Sequence, residues 1–247
     1  MKIFNYAAPS AYLSKGNPVG FGDYVLYKCL DSFKAYVRAD DYVIGGHLAY
    51  DGFWEPHLTM AFINFAINNL EQLPNLSFAD LGANSGYYSM IAGHLGFGEV
   101  RAYEADHRNC NLLRTNSKMC GKPFTVHECV LGSGGMWATP KPDPYSSNTS
   151  YTWGDKGAIP PKPVPFANVY KIDLEGGDEE VINTIMERMI SDLYIPHIIF
   201  WEYAPQRWAN PPHQVLEQFN VYLTGGSGTP LERLPLEEKD LTLVPIY

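Results

Sequence analysis

Three carboxylates near the ends of two apolar runs are the residues of this chain best suited to chemistry. Lys171-Ile-Asp-Leu-Glu175 carries Asp173 and Glu175, and Ile198-Ile-Phe-Trp-Glu202 ends in Glu202. If the two runs are neighbouring strands, these acids converge on one rim, and like charges so placed need a cation or a proton. Two chemistries meet that need. A divalent ion, Mg2+ or Mn2+, held by Asp173 and Glu202 would bind two substrate hydroxyls and lower the pKa of one. Alternatively, a carboxylate of raised pKa or a histidine takes the hydroxyl proton without metal. Side chains alternate along a strand, so Lys171 returns to the side of Asp173, and a lysine–acid pair can neutralise the cluster by itself.

An earlier stretch, Phe78-Ala-Asp-Leu-Gly-Ala-Asn-Ser-Gly-Tyr-Tyr-Ser89, reads as an apolar strand running into a glycine-punctuated turn that opens a helix. Such a turn is where an α/β protein meets a nucleotide-like ligand. Gly82 and Gly86 allow close backbone approach, and the helix start offers unpaired N–H groups. Asn84 stands where G-x-G-x-x-G has its second glycine, and Asp80 puts an acid before the turn. Both features disfavour a pyrophosphate and favour a cationic or hydroxyl-bearing ligand. Asp80 suits an ammonium group and Asn84 a polar edge, while Ala83 and Tyr87 lie in the same turn and helix start. Glu104 closes the next apolar run, 22 residues past Gly82. An acid ~20 residues on is where a ribose diol is met. Ala105 and Asp106 follow it, and with Val130, at the end of the third apolar run, they would flank a planar base.

These residues need a scaffold that gathers strand ends along one edge. Apolar residues at Leu58, Phe62, Phe65, Ile67 and Leu70 predict a helix from Pro56 to Leu73 packed over the first strand. Strands are predicted near 77–82, 99–105, 124–131, 169–173 and 197–202, with helices near 85–95, 107–119 and 178–190. This alternation favours a parallel sheet with helices on both faces, and a ligand beyond the C-termini of the first and fourth strands, where the winding reverses. Segments 220–223 and 241–247 can close the sheet as an antiparallel edge pair. Residues 1–50 read as an N-terminal extension packed on the principal domain, 51–247. A loop or flap is inserted at 132–165, where seven prolines fall. Its Tyr145, Tyr151 and Trp153 suit the apolar face of a sugar ring.

The ordered segments Asp80–Ser89, Tyr103-Glu-Ala-Asp106, Lys171-Ile-Asp-Leu-Glu-Gly-Gly-Asp-Glu-Glu180 and Ile198–Glu202 resemble the motifs of FkbM-type S-adenosylmethionine-dependent methyltransferases. The resemblance covers residues 41 to 205. It implies a Rossmann-like class I methyltransferase fold over 51–247, with a predominantly parallel seven-stranded sheet of order 3-2-1-4-5-7-6. It also implies S-adenosyl-L-methionine as cofactor and, as acceptor, a hydroxyl of a sugar, glycan or glycosylated small molecule. Gly177 stands where the family has alanine, and the insert follows no family pattern. A nicotinamide-dependent oxidoreductase and a non-catalytic cofactor-binding module remain open as alternatives.

With 247 residues, 45% of them hydrophobic, the chain can bury one sizeable core, and its net charge is −9. An acidic chain without a Lys/Arg cluster is not expected to act on nucleic acid, because phosphate neutralisation supplies most of that affinity. A small-molecule or carbohydrate acceptor is expected instead. Cys29, Cys110, Cys120 and Cys129 show no zinc spacing and read as buried thiols. There is no run of ~18 apolar residues and no basic start leading into an apolar core, so a soluble, cytoplasmic protein without signal peptide or membrane span is expected. Among the histidines, His57, beside Trp54 and Glu55 at a helix start, is the first candidate base.

Overall fold

The computed structural model describes residues 19–21, 24–30, 33–132, 137–142, 149–154, 159–191, 194–205, 214–226, 228–237 and 239–246. For 19–21, 25, 28, 137–142 and 149–154 the backbone alone is described. Tyr145 therefore lies outside the described residues, as do the side chains of Tyr151 and Trp153.

The described residues open on a three-stranded antiparallel sheet of β1 (Val19–Phe21), β2 (Tyr24–Cys29) and β3 (Phe33–Arg38). Helices α1 (Ile44–Tyr50) and α2 (Pro56–Asn69) follow. Then come β4 (Ser77–Leu81), α3 (Tyr87–Leu95), β5 (Glu99–Glu104), α4 (His107–Met119) and β6 (Thr125–Glu128). After an antiparallel pair, β7 (Trp137–Pro142) and β8 (Thr149–Gly154), the main sheet resumes. It continues with β9 (Val169–Ile172), α5 (Asp178–Ile190), β10 (Ile198–Tyr203), α6 (Val215–Gln218), β11 (Phe219–Leu223) and β12 (Lys239–Pro245). The main sheet runs β6-β5-β4-β9-β10-β12-β11, which is 3-2-1-4-5-7-6 when its strands alone are counted in chain order. Its first five strands are parallel, and β12 is antiparallel to both neighbours.

Strand alternation sorts the apolar side chains into two cores, one on each face. Phe78, Val100, Ala102, Val169, Ile198 and Phe200 join α2 and α3, whereas Ala79, Leu81, Tyr170, Ile172, Ile199 and Trp201 join α5. Phe62 of α2 is the hub of the first core, with its ring 4.9 Å from Phe78, 5.6 Å from Phe97 and 5.5 Å from Phe200. Burying such a ring contributes about 1.5–3 kcal/mol. Cys29, Ala35 and Val37 of the N-terminal sheet and Ile44 and Leu48 of α1 belong to this same core. Asn116 of α4 ties β3 down by accepting from the Tyr36 amide and donating to its carbonyl, both at 2.8 Å.

Two predicted elements are shorter than expected. The third strand of the sheet ends at Glu128, so Val130 lies beyond it, and α2 stops at Asn69 with Ile67 on its exposed side. The insert leaves and returns at one place. Gly132 N donates to Lys162 O at 3.0 Å, Lys162 N donates to Val130 O at 2.8 Å, and Leu131 forms a parallel bridge with Lys162. No helix among the described residues is long and apolar enough to cross a membrane.

Candidate functional site

On the α2/α3 face, β4, β9 and β10 follow one rule: each begins apolar and ends charged. Phe78 is followed by Asp80, Val169 by Lys171 and then Asp173, and Phe200 by Glu202. The register sets Asp80 opposite Lys171 on one side and Phe200 opposite Lys171 on the other. Glu202, two residues past Phe200, therefore reaches the level of Asp173. Beneath this charged layer lies the Phe62 cluster, and above it opens a cleft of about 570 Å3, mouth included, lined in part by Trp54, Glu55 and Tyr88.

Lys171 is 4% exposed, with Nζ 2.6 Å from Asp173 Oδ2 and 5.6 Å from the centroid of the Tyr88 ring. Burial pulls its pKa down, but the charges of Asp173, Glu55 and Asp80 outweigh that and hold it above the ordinary lysine value. Glu202 is pushed far above the carboxylate range, first by the charge of Asp173, then by burial and a hydrogen bond to Asp173. Glu55 is pushed up to about 7 by burial, with Asp173 and Asp240 adding to it, against Lys171 and the Tyr88 hydroxyl. That hydroxyl donates to Glu55 Oε2 at 2.7 Å. Asp80, 1% exposed, accepts from Ser89 N at 3.0 Å and Ser89 Oγ at 2.6 Å through Oδ2 alone. Its Oδ1 is buried without a hydrogen-bond partner, and burial raises its pKa.

The expected Mg2+ or Mn2+ on Asp173 and Glu202 finds no support in this arrangement. The Lys171 ammonium already takes Asp173 Oδ2 at 2.6 Å. Among the described residues, no group of three or more His, Cys, Asp and Glu side chains is arranged to hold an ion.

The second cleft, about 630 Å3 with its mouth, lies along the β5 side of the β4 turn. Gly82 is indispensable there: its φ is +80°, and a Cβ would sit 1.7 Å from the Asp173 carbonyl oxygen. Gly86, φ +87°, caps α3 where a Cβ would meet Leu113 at 2.6 Å. Glu104 organises the polar side. Its Oε2 accepts from Asn84 N at 2.8 Å, and its Oε1 accepts from Ala105 N at 2.8 Å and Asp106 N at 2.7 Å. Burial raises its pKa to about 7 in spite of these three amides. A carboxylate offers about four acceptor positions, so one more donor can be taken. Cys129, Val130 and Leu131 form the apolar wall. Gly82, Asn84, Asp173 and Glu175 line both clefts and form their common wall.

The remaining predicted residues fall in different places. Ala83 N, with Gly82 N, donates to Tyr103 O at 3.0 Å and so fixes the turn. Ala105 lines the cleft beside Glu104, while Asp80 and Tyr87 open on the charged cleft. Asp106 lies outside both clefts and caps α4, accepting from Arg108 N at 2.8 Å and pairing with its guanidinium at 2.8 Å. His57 is exposed on α2 and packs against Gly225, away from the acids. Three residues were not foreseen: Glu55, Tyr88 and Asp178. Glu55 stands at φ +43° just before Pro56, a conformation of order 1–3 kcal/mol unfavourable for a non-glycine residue and concentrated at functional sites. Asp178 holds the turn after β9, accepting from Leu174 N at 3.0 Å and Gly176 N at 3.2 Å.

No protein-family model matches the chain, and no curated protein matches it. Among solved structures, the chain is similar to a Haemophilus influenzae protein described as a methylase (13% identity, TM-score 0.48, 89% of this chain and 98% of that one). It is similar to P. horikoshii TYW2, solved in complex with MeSAdo (12% identity, TM-score 0.45, 91% and 71%). A third similar structure is precorrin-6y C5,15-methyltransferase from Geobacter metallireducens (16% identity, TM-score 0.40, 73% and 87%).

Proposed function

We propose that the protein is an S-adenosylmethionine-dependent methyltransferase of the FkbM type, acting on a hydroxyl of a sugar, glycan or glycosylated small molecule. The observation that carries this reading is the pair of clefts sharing Gly82, Asn84, Asp173 and Glu175, one acid-tipped and apolar-walled, the other charged. Glu104 would accept a ribose hydroxyl, Ala105 and Val130 would flank the base, and the amino-acid end would reach the common wall at Asp173. When bound, the cofactor supplies an electrophilic methyl group. This chain's residues supply the rest: Glu55, whose pKa of about 7 suits a general base, takes the hydroxyl proton. Lys171 keeps Asp173 ionised, and the common wall sets the line of approach, where positioning does most of the work. The surplus of carboxylates repels a polyphosphate chain, which argues against nucleic acid as acceptor.

The nicotinamide alternative meets an obstacle in the turn itself. Gly86 N donates to Ala83 O, Ser89 N to Asp80 and Asn84 N to Glu104, so these amides are committed where a pyrophosphate would need them. Calorimetry with S-adenosylmethionine, S-adenosylhomocysteine and NAD tests the choice. Binding of the first two and not of NAD is expected; binding of NAD alone would overturn the proposal. A screen of sugars and glycosylated metabolites, read as a mass gain of one methyl group, then separates an enzyme from a binding module.

A further inference from the structure

Glu55 is held in an unfavourable backbone conformation from two directions. Its φ of +43° comes just before Pro56, where α2 begins. Thr59, one turn into α2, gives its hydroxyl proton to Trp54 O at 2.6 Å and so ties the carbonyl preceding Glu55 to the helix. The Tyr88 hydroxyl of α3 donates to Glu55 Oε2 at 2.7 Å and takes hold of the side chain. Thr59 Oγ1 also stands 3.4 Å from the hydroxyls of Tyr87 and Tyr88, so one threonine braces both attachments. A backbone outlier persists only where its surroundings over-determine it. Tyr88 is itself a rigid post: it is buried, and its ring packs edge to face at 5.8 Å on Phe62 and 5.3 Å on Tyr87, with Lys171 Nζ 5.6 Å from its centroid. It lies in the first turn of α3, two residues past Gly86, which ends the glycine turn. Tyr88 engages Oε2, which leaves Oε1 of this cleft-lining residue for a ligand.

We propose that Tyr88 is a positioning residue: it ties the Glu55 carboxylate to the helix that the glycine turn opens, so that base and cofactor keep a fixed separation. The role rests on the reading of Glu55 as the group that takes the acceptor's proton. A hydroxyl that donates to a carboxylate also favours its charged form. Burial raises the Glu55 pKa to about 7, Lys171 of β9 and the Tyr88 hydroxyl oppose it, and the charges of Asp173, just past β9, and Asp240 of β12 add to it. Glu202 of β10 feels the Glu55 charge in turn, and Asp41, Asp80 and Glu175 line the same cleft. Without the Tyr88 hydroxyl, Glu55 would keep its proton to higher pH and lose the anchor on Oε2.

The test follows the whole chain, labelled with 13C in glutamate and tyrosine, by NMR against pH. The carboxyl signal of Glu55, identified as the one missing in Glu55→Gln, is expected to titrate near pH 7. In Tyr88→Phe its midpoint should rise by about half to one pH unit, the shift that loss of one hydrogen bond produces. In the unsubstituted chain the Cζ signal of Tyr88 should move with the same midpoint as Glu55 and lose that movement in Glu55→Gln, which decides the matter where Tyr88→Phe does not fold. An unmoved Glu55 midpoint in folded Tyr88→Phe, or a Tyr88 signal indifferent to Glu55, overturns the proposal. Turnover gives the second readout, with whichever acceptor the sugar screen identifies. Tyr88→Phe should lower kcat about tenfold or more, shift the acid limb of its pH profile upward as the carboxyl midpoint shifts, and leave KM and S-adenosylhomocysteine affinity in place. A fall in kcat with an unshifted profile would mark Tyr88 as packing alone and overturn the proposal. If no acceptor is methylated, the methyl-transfer reading falls and the base role with it, while the titration still decides whether Tyr88 holds the carboxylate.

Discussion

The two clefts meet at the same four residues and are built in opposite ways. Beside Glu104 the polar surface is mostly backbone: three amides converge on one carboxylate, and Gly82 and Gly86 set the turn that aims them. On the other side of the common wall the polar surface is mostly side chains, among them Glu55 just before α2, Asp80 of β4, Lys171 of β9, Asp173 just past it and Glu202 of β10, with one lysine among the acids. In the first cleft three amides hold the Glu104 carboxylate before any ligand arrives, so its geometry is preorganised. The second stores repulsion between acids that Lys171 offsets only in part, and its pKa values move accordingly. A site made of amides is fixed by folding; a site made of like charges is completed by what binds.

Removing the lysine should break this contrast most severely. Lys171→Met leaves the buried carboxylates without their countercharge, and loss of one partner of a buried pair costs about 3–5 kcal/mol of stability. Urea unfolding measures it, and a loss below about 1 kcal/mol would show that the acids do not depend on Lys171. On the amide side, Glu104→Gln should weaken S-adenosylhomocysteine binding by about 1.5–3 kcal/mol, the scale of a hydrogen bond to a charged group. Unchanged affinity in the folded variant would remove Glu104 from the cofactor site.

A gentler probe of the same residue is pH. Glu104 must be ionised to serve as an acceptor on all sides, so affinity should rise about tenfold from about pH 6 to about pH 8, and Glu104→Gln should flatten the profile. Folding stability responds in the opposite direction. The pKa in the fold, about 7, lies above the ordinary 4.5, so the folded chain holds the proton more tightly. The contribution of Glu104 to stability therefore falls as pH rises from about 4.5 through about 7. A pH-independent affinity, alongside weakened binding in the variant, would refute the raised pKa. Smallest of all, Asp106→Ala should cost about 1 kcal/mol of stability through the lost α4 cap and leave cofactor affinity alone. A matching drop in affinity would return Asp106 to the site.

The backbone-built cleft was legible because Gly82, Gly86 and Glu104 lie within one strand–helix–strand unit, where spacing alone fixes distance. The acids of β9 and β10 and the Lys171–Asp173 pair were legible from alternation. Glu55 was not, because it reaches Lys171 only through the packing of α2 over β4, a contact that no local spacing records. His57 failed for the same reason in reverse: Leu58, Thr59 and Phe62 face inward, and that turns position 57 outward. In β3 the alternation of buried Ala35 and Val37 is masked by the aromatic Tyr36 between them, so the N-terminal sheet showed no readable period.

The stapled ends of the insert have an evolutionary consequence. Because Val130, Gly132 and Lys162 join exit and return side by side, the main sheet does not register how much chain passes between them. Closing a longer loop is inexpensive, about 0.6 kcal/mol for each doubling of its length. The segment between Gly132 and Lys162 is thus an exchangeable cassette, free to lengthen, shorten or be replaced across a lineage while the turn at Gly82 and the acid at Glu104 keep their places.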